Sequence, residues 1–462
     1  MGLVRRYIFF CLLLGLVCTG CQEWQEMATT YQAQKETAHL NRFIDMLFRS
    51  AYLWAEETPA VSQPGEAGDS YAFFETLRHP SDPWSRLVPD RFAASKQSAG
   101  TSTTFGYGLA FGTYSNPPDS LIDAYVAVIT YVYAQTPAAQ AGLQRGDVIV
   151  ALNGHPLRDS TLSHLFYASQ VHLTLYDGRH LTLTASTVTL NPILATHIEK
   201  TAAGNVGYVC YKQFSSQSKP YLDAVFTRFQ EEGVTDVVLD LRYNNGGDDA
   251  MARYLCSILA PATCLTERKV VTRYRWNPFI DKVLGTFYKR QVVRTFTPDV
   301  PVNMNLNRLY VLTGPNTASA SELVISCLMP YMEVITLGTD TYGKCFGSVL
   351  YYYPASDIEK WGVQLISFQY ANANLYTGFT EGIPVTVPLT EQLLQHVRPL
   401  GDPQESLFAH ALQLIAGESP TPRAQTRSLQ PLVMLPGTHP YNRIAGTPTL
   451  TADDCPLFLS LE

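Results

Sequence analysis

The sequence predicts a multidomain α+β chain with a helical N-terminal region, a β-rich middle and a layered α/β core. Three observations carry this. Leu40 to Trp54 repeats apolar residues at helical spacing, placing Phe43, Leu47, Ala51 and Trp54 on one face. From Phe105 the texture changes to short β-favouring runs separated by turn residues, as in GYGLAFG (106–112) and DAYVAVITYVY (123–133). From Val206, near-continuous apolar runs such as DVVLDLR (236–242), RLYVLTG (308–314) and EVITLG (333–338) alternate with helical patterns. Runs of that kind belong to a sheet covered on both faces. At roughly 150 residues per domain, 462 residues accommodate about three such units.

Composition excludes several classes. Hydrophobic residues make up 46 % and charged residues 16 %, so the chain is not of the disordered type. The net charge of −7 leaves no basic excess for phosphates, and no nucleic-acid partner is expected. Nine cysteines are too sparse for a disulfide-built scaffold. No C-x-x-C pair or Cys/His cluster has metal-ligand spacing, so neither a metal nor another cofactor is expected.

The first segment, MGLVRRYIFFCLLLGLVCTGC, has a basic start at Arg5 and Arg6 and an apolar run from Tyr7 to Cys18. That run is too short to span a bilayer and suits a signal peptide, expected over 1–20. Thr19 and Gly20 before Cys21 resemble the lipobox of bacterial lipoproteins, with Cys18 standing where Leu is usual. The resemblance implies lipidation of Cys21 and a protein held at the outer membrane or periplasmic face of a bacterial envelope. Of the remaining cysteines, Cys210, Cys256, Cys264, Cys327, Cys345 and Cys455 are expected to be buried free thiols.

Residues 22–40 are polar and read as a tether. The Leu40–Trp54 helix follows, then loop composition at SQPGEAGD (62–69) and a second helical pattern over Tyr71–Leu77. Residues 93–104 read as a linker. TPAAQAGLQRGDVIVALNGHPL (136–157) then predicts a short helix, a glycine turn, a strand and a turn at Asn153-Gly154, and residues 172–185 predict a hairpin around Asp177-Gly178. The segment AAQAGLQRGDVIVALNG, with Asp147 before the central strand, resembles a PDZ domain, expected over 105–190. The resemblance implies that an extended peptide, usually a C-terminus, adds to an open sheet edge. Phe105, Gly106, Tyr107, Gly108 and Leu109 would present backbone N–H groups to its carboxylate.

Within the core, Lys219–Gln230 predicts an amphipathic helix, NNGGDD (244–249) a turn, and SLFAHALQLIAG (406–417) a closing helix ended by Gly417. Histidine placement limits the chemistry. None lies between His197 and His396, so a Ser-His-Asp triad cannot be built wholly within this core. His164, His172 and His180 are expected on the surface of the β-rich region. NTASASEL (316–323) places hydroxyl residues between a buried strand and a helix start, where unpaired N–H groups and partial positive charge can meet a developing oxyanion. Lys344 comes twenty-five residues after Ser319 and can act as a base if buried. Taken alone, the same residues also read as a serine-rich helix cap and a surface lysine.

The ordered set PDZ, VGYVCYKQF, VVLDLRYNNGG, TASASE and GK resembles the C-terminal processing (tail-specific) serine peptidases over roughly residues 40–417, and LFRSAYLWAEE…FFETLRHPSDPWSRL resembles the N-terminal region of their Bacteroides-type members. The resemblance implies a ClpP/crotonase-like core over 191–417, followed by a proline-containing appendage over 418–462. It implies Ser319 as nucleophile, Lys344 as general base, and an oxyanion hole from the N–H of Ala320 with that of Gly246 or Gly247. Asp240 and Arg242 would fix the loop. The third catalytic member stays open between Ser348, where relatives carry Gln or Glu, and Glu322. Cys345, where Gly or Pro is commoner, reads as a packing residue. The implied function is an envelope lipoprotein endopeptidase whose substrates are proteins or peptides with exposed C-termini. The alternative is a non-catalytic PDZ scaffold on a degenerate core, and a weaker third reading is an esterase.

Overall fold

The computed structural model describes residues 29–92, 101–115, 119–287, 293–353, 356–394, 396–418, 432–434 and 449–450. The proposed signal and Cys21 lie outside these residues, as does Cys455. The chain forms two units, one from Met1–Arg91 with Val349–Ile366 and the other from Phe92–Ser348 with Ser367–Glu462.

In the first unit a helix runs over 29–50 and buries Phe43, Ile44, Leu47 and Phe48. Its first turns are exposed and polar, which is why residues 29–39 read as tether while being helical. The helix Ser70–Leu77 starts at Asp69, whose side chain accepts the Ala72 N–H at 2.8 Å. The Tyr52 hydroxyl donates to the buried Asp82 carboxylate at 2.7 Å, and Asp82 Oδ1 caps the Trp84 and Ser85 N–H groups at 2.9 Å each. Arg86–Val88 pairs antiparallel with Gly362–Gln364.

The second unit contains a β-rich domain and the α/β core. The β-rich domain has the strand order Leu432–Met434, Tyr107–Tyr114, Tyr125–Val132, Val148–Leu152, Gln170–Leu175, His180–Thr184. Phe105, Phe111, Ile129, Leu152, Leu165 and Leu173 meet in its core. The Asn153-Gly154 turn has φ of 51° and 81°, as a two-residue hairpin of the primed type requires. Asp147 accepts the Gln144 N–H at 2.9 Å and pairs with Arg179. His172 and His180 lie exposed beside Thr182 and Thr174. Two expectations change here. Residues 101–104 are not linker but a strand paired with Ser186–Thr189, because a run of threonines that reads as a polar spacer also suits an exposed sheet edge. The edge of Tyr107–Tyr114 is not wholly open, since Leu432–Met434 from the C-terminal appendage pairs along its far half.

The core sheet runs Ile193–Thr201, Gly204–Tyr211, Val234–Asp240, Arg308–Thr313, Glu333–Gly338, Val387–Pro388, antiparallel at the first pair and parallel thereafter. Asp240 is in register with Leu312, and Thr313 with Gly338. Three successive parallel strands therefore end side by side, and the loops leaving them converge at one edge, where open α/β sheets place their ligands. Cys210, Cys256, Cys264, Cys327 and Cys345 are free and buried, as expected.

A buried charge cluster braces this edge. Arg242 is 2 % exposed and reaches Asp240 (Nε to Oδ1, 3.0 Å), Glu405 (2.8 and 3.0 Å) and Glu391 (2.9 Å). Arg145, from the GLQRGD turn of the β-rich domain, donates to the same Glu391 oxygen at 2.6 Å, to the Thr130 carbonyl at 2.6 Å and to Tyr243 Oη. Glu405 also caps the helix Ser406–Ile415 through the Leu407 and Phe408 N–H groups. Burial alone would raise the Glu405 carboxyl, yet Arg242 and Arg145 hold it down at about 2.

A carboxyl depressed from about 4.5 to about 2 adds stability that is fully present above 4.5 and is lost as pH falls toward 2. The loss is ~3 kcal/mol. Acid unfolding followed by near-ultraviolet circular dichroism should show it, and Glu405→Gln should flatten the stability of this unit across that window. An identical acid profile in wild type and variant would contradict the assignment.

Candidate active site

Ser319 stands where the Arg308–Thr313 strand passes into the helix Ala320–Leu328, with φ 62° and ψ −112°. A non-glycine residue held there costs ~1–3 kcal/mol and persists only where its surroundings over-determine it. The surroundings do so. The Ser319 N–H donates to Glu322 Oε2 at 2.6 Å, and its carbonyl accepts from the Leu323 N–H and the Tyr370 hydroxyl, both at 2.8 Å. Its Oγ is buried and has no hydrogen-bond partner among the described residues.

Lys344, in the loop after Glu333–Gly338, is completely buried. Its backbone is tied to that of Ser319 twice. The Lys344 N–H donates at 2.9 Å to the same Glu322 oxygen that receives Ser319, and the single Tyr370 hydroxyl proton is shared with the Lys344 carbonyl, which also stands 2.8 Å from Oη. The other Glu322 oxygen accepts from Thr341 Oγ1 at 2.6 Å and the Gly343 N–H at 2.7 Å. Four donors fill the acceptor capacity of one carboxylate. Burial pushes the Glu322 carboxyl above its ordinary range against the pull of these four donors. Ser348 is also buried, on the strand Phe346–Tyr351.

The RYNNGG loop lies directly against this turn. A Cβ on Gly246 would stand 2.8 Å from the Ala318 carbonyl, 2.9 Å from Ser319 Cβ and 3.0 Å from Ala320 N, and one on Gly247 would stand 1.8 Å from the Phe214 carbonyl. Only glycine fits either position, and both have positive φ. Gly246 donates its N–H to Asn244 Oδ1 at 2.8 Å, whereas the N–H groups of Gly247 and Ala320 have no partner among the described residues. Asn244 anchors the loop further. Its side chain donates to the Tyr211 carbonyl at 2.8 Å, and its carbonyl accepts from Ser321 Oγ at 2.9 Å and the Ala318 N–H at 3.2 Å.

A cavity of about 740 Å³ opens beside the site, lined by Asn245, Asn316, Thr341 and Tyr243 from the core and by Tyr107, Gly108 and Leu109 from the β-rich domain. Phe105 and Gly106 are not part of its lining. Phe105 is buried in the domain core, and Gly106 turns the chain with φ 90°. Asp240 and Arg242 sit in the charge cluster and pair with each other. Cys345 is a buried packing residue whose Sγ meets Gln369. Among the described residues no group of three His, Cys, Asp or Glu could hold a metal ion. Tyr370 and Glu391 lie in no quoted motif, and Asn244 and Arg145 lie inside motifs whose spacing does not reveal their partners.

The residues between Gly246 and Ser348 fall within a larger pattern. Residues 205–388 match the model of peptidase family S41, residues 39–92 the peptidase S41 N-terminal domain, and residues 128–172 a PDZ domain. The chain belongs to peptidase family S41. The structure of an S41 protease from Bacteroides fragilis is similar at 26 % identity with a TM-score of 0.68, covering 81 % of this chain and 97 % of that one. The chloroplastic C-terminal processing peptidase of Tetradesmus obliquus is 31 % identical over 286 residues, 57 % of this chain and 56 % of that protein. A carboxyl-terminal-processing protease of Picosynechococcus sp. is 26 % identical over 316 residues, 65 % of this chain and 70 % of that one. The chain thus spans little more than half the length of the first of these relatives.

For this S41 chain the Glu322 carboxylate is the test of the site's construction. In Glu322→Gln the amide nitrogen must face two N–H or O–H donors, and stability in urea unfolding should fall by about 2 kcal/mol. Tyr370→Phe removes one hydroxyl and should cost about 1 kcal/mol. A wild-type urea midpoint in both variants would mean that these ties do not hold the turn.

Proposed function

We propose that the protein is a serine endopeptidase of the C-terminal processing type, held by a lipid on Cys21 at a bacterial cell envelope. Its substrates are proteins or peptides with exposed C-termini, captured by the PDZ domain. The observation that carries this reading is the double tie of Ser319 to Lys344 through Glu322 and Tyr370, with the glycine loop closed against the same turn.

In the proposed reaction, neutral Lys344 takes the proton of Ser319 Oγ as the oxygen attacks the peptide carbonyl. Burial disfavours the ammonium form of a lysine, and Lys344 is fully enclosed. The Gly247 and Ala320 N–H groups receive the oxyanion, while Gly246 serves by close packing. Collapse of the tetrahedral species expels the amine, which takes its proton from Lys344. Water, deprotonated by Lys344 in turn, then hydrolyses the acyl-enzyme. No step calls for a cofactor. Glu322 acts as a positioning residue and leaves Ser348, four residues beyond Lys344, as the hydroxyl proposed to support the lysine. No helix among the described residues is long and apolar enough to cross a membrane.

The test incubates wild type and Ser319→Ala with an unfolded protein whose C-terminus is free or blocked. Wild type should cleave, the variant should not, and the blocked tail should slow cleavage. Equal proteolysis by Ser319→Ala would sink the assignment, and capture of the tail without cleavage by wild type would favour the non-catalytic scaffold. Lys344→Arg should be as inactive as Lys344→Ala, because arginine does not shed its proton. Substantial activity in the arginine variant would require another base. Intact mass of the envelope form should show diacylglycerol on Cys21, and a free N-terminus at another residue would defeat the anchor.

A further inference from the structure

The strand that a PDZ domain offers to its peptide already carries a partner from this chain. Leu432–Met434 pairs antiparallel with Tyr107–Tyr114, in the register Leu432 to Tyr114, Val433 to Thr113 and Met434 to Gly112. Leu432 is completely buried in an apolar cluster with Val126, Val128 and Val148 of the same sheet and with Leu393 of the core.

The direction of pairing is informative. As the segment advances from Leu432 to Met434, its partners step back from Tyr114 to Gly112, toward the Phe105–Leu109 loop. A C-terminus captured by strand addition runs the same way, with its carboxylate end toward that loop. Met434 also lines the cavity lined by Tyr107, Gly108 and Leu109, so the segment meets the space that an incoming peptide would enter. The pairing covers three residues and is anchored by one buried leucine. Such a short strand can be displaced by a ligand that pairs along the whole edge.

We propose that Leu432–Met434 is a built-in competitor for the PDZ peptide edge, and that an extended peptide with a free C-terminus must displace it to bind along the full Tyr107–Tyr114 strand. This rests on the reading that the PDZ domain captures peptides, and not on cleavage. The apparent affinity for a peptide is reduced by the fraction of molecules whose edge is open.

The experiment measures binding of a fluorescent apolar peptide with a free C-terminus to the full chain by anisotropy, in a Ser319→Ala background so that the probe stays intact. Leu432→Asp places a carboxylate in the apolar cluster and should release the segment, tightening binding about tenfold. The Thr113→Cys/Val433→Cys pair, cross-linked at the observed register, should lose binding when oxidised and regain it on reduction. Equal affinity of the oxidised and reduced cross-linked protein overturns the proposal, whatever Leu432→Asp does. So does unchanged or weaker binding by a folded Leu432→Asp variant. Displaceable binding combined with no proteolysis by wild type would count against the peptidase reading alone.

Discussion

One buried carboxylate decides whether the site exists. Glu322 brings an acceptor-only group into a water-free interior, a burial that is tolerated only when every lone pair finds a donor. Its four donors come from two segments that approach from different strands, Ser319 on one side and Thr341, Gly343 and Lys344 on the other. The strained backbone of Ser319 is the converse of that satisfaction. A turn costing ~1–3 kcal/mol holds because its N–H and carbonyl have no better partners than Glu322, Leu323 and Tyr370. Remove the carboxylate, and the strain and the two orphaned segments lose their common support together.

The sheet explains why such distant residues can share one carboxylate. Parallel strands joined by crossovers end at the same edge, so the chain returns there after Asp240, Thr313 and Gly338 in turn. The twenty-five residues from Ser319 to Lys344 are the length of one helix, one turn and one strand back to that edge. The loop after Asp240 is held from beneath by Arg242, whose partners include the cap of the last helix and, through Glu391, Arg145 of the PDZ domain. Arg242, two residues before the glycine loop's Asn244, and Arg145 of the PDZ turn thus meet on one Glu391 oxygen. A pair buried to this degree is destabilising if broken on one side only.

What was legible in the sequence follows from what is local. Ser319, Lys344, Gly246 and Gly247 sit in short motifs whose order and spacing repeat across a family, and the strands and helices around them have unambiguous periods. Tyr370 lies fifty-one residues from Ser319, and its hydroxyl matters only because the Gly362–Ala371 strand returns beneath the turn. The pairing of Arg145 with Glu391 spans 246 residues and joins two domains, so no window of sequence contains it. The errors have the same origin. Thr101, Ser102, Thr103 and Thr104 read as spacer because their partner strand lies at 186–189, and the first turns of the 29–50 helix read as tether because no repeating apolar face marks them. Leu432–Met434 is three residues long, too short to show a period, and Leu432 is buried by the sheet it joins together with Leu393.

Ser348 gains meaning from the same accounting. A Gln or Glu at this position could reach the lysine amine and orient it directly. A serine hydroxyl at this position has a shorter reach, and Glu322 has no acceptor capacity left to take over, since all of it is spent on backbone N–H groups and Thr341. On the proposed mechanism, the backbone of Lys344 contributes to the orientation of its amine. That backbone is clamped at both ends of one residue, the N–H by Glu322 and the carbonyl by Tyr370, and the same two groups clamp Ser319. Fixing both main chains in a common frame limits where an enclosed lysine side chain can place its nitrogen, whatever the third residue is. By this argument the short Ser348 is compatible with the proposed reaction, because a rigid frame lowers the demand on the reach of any one side chain.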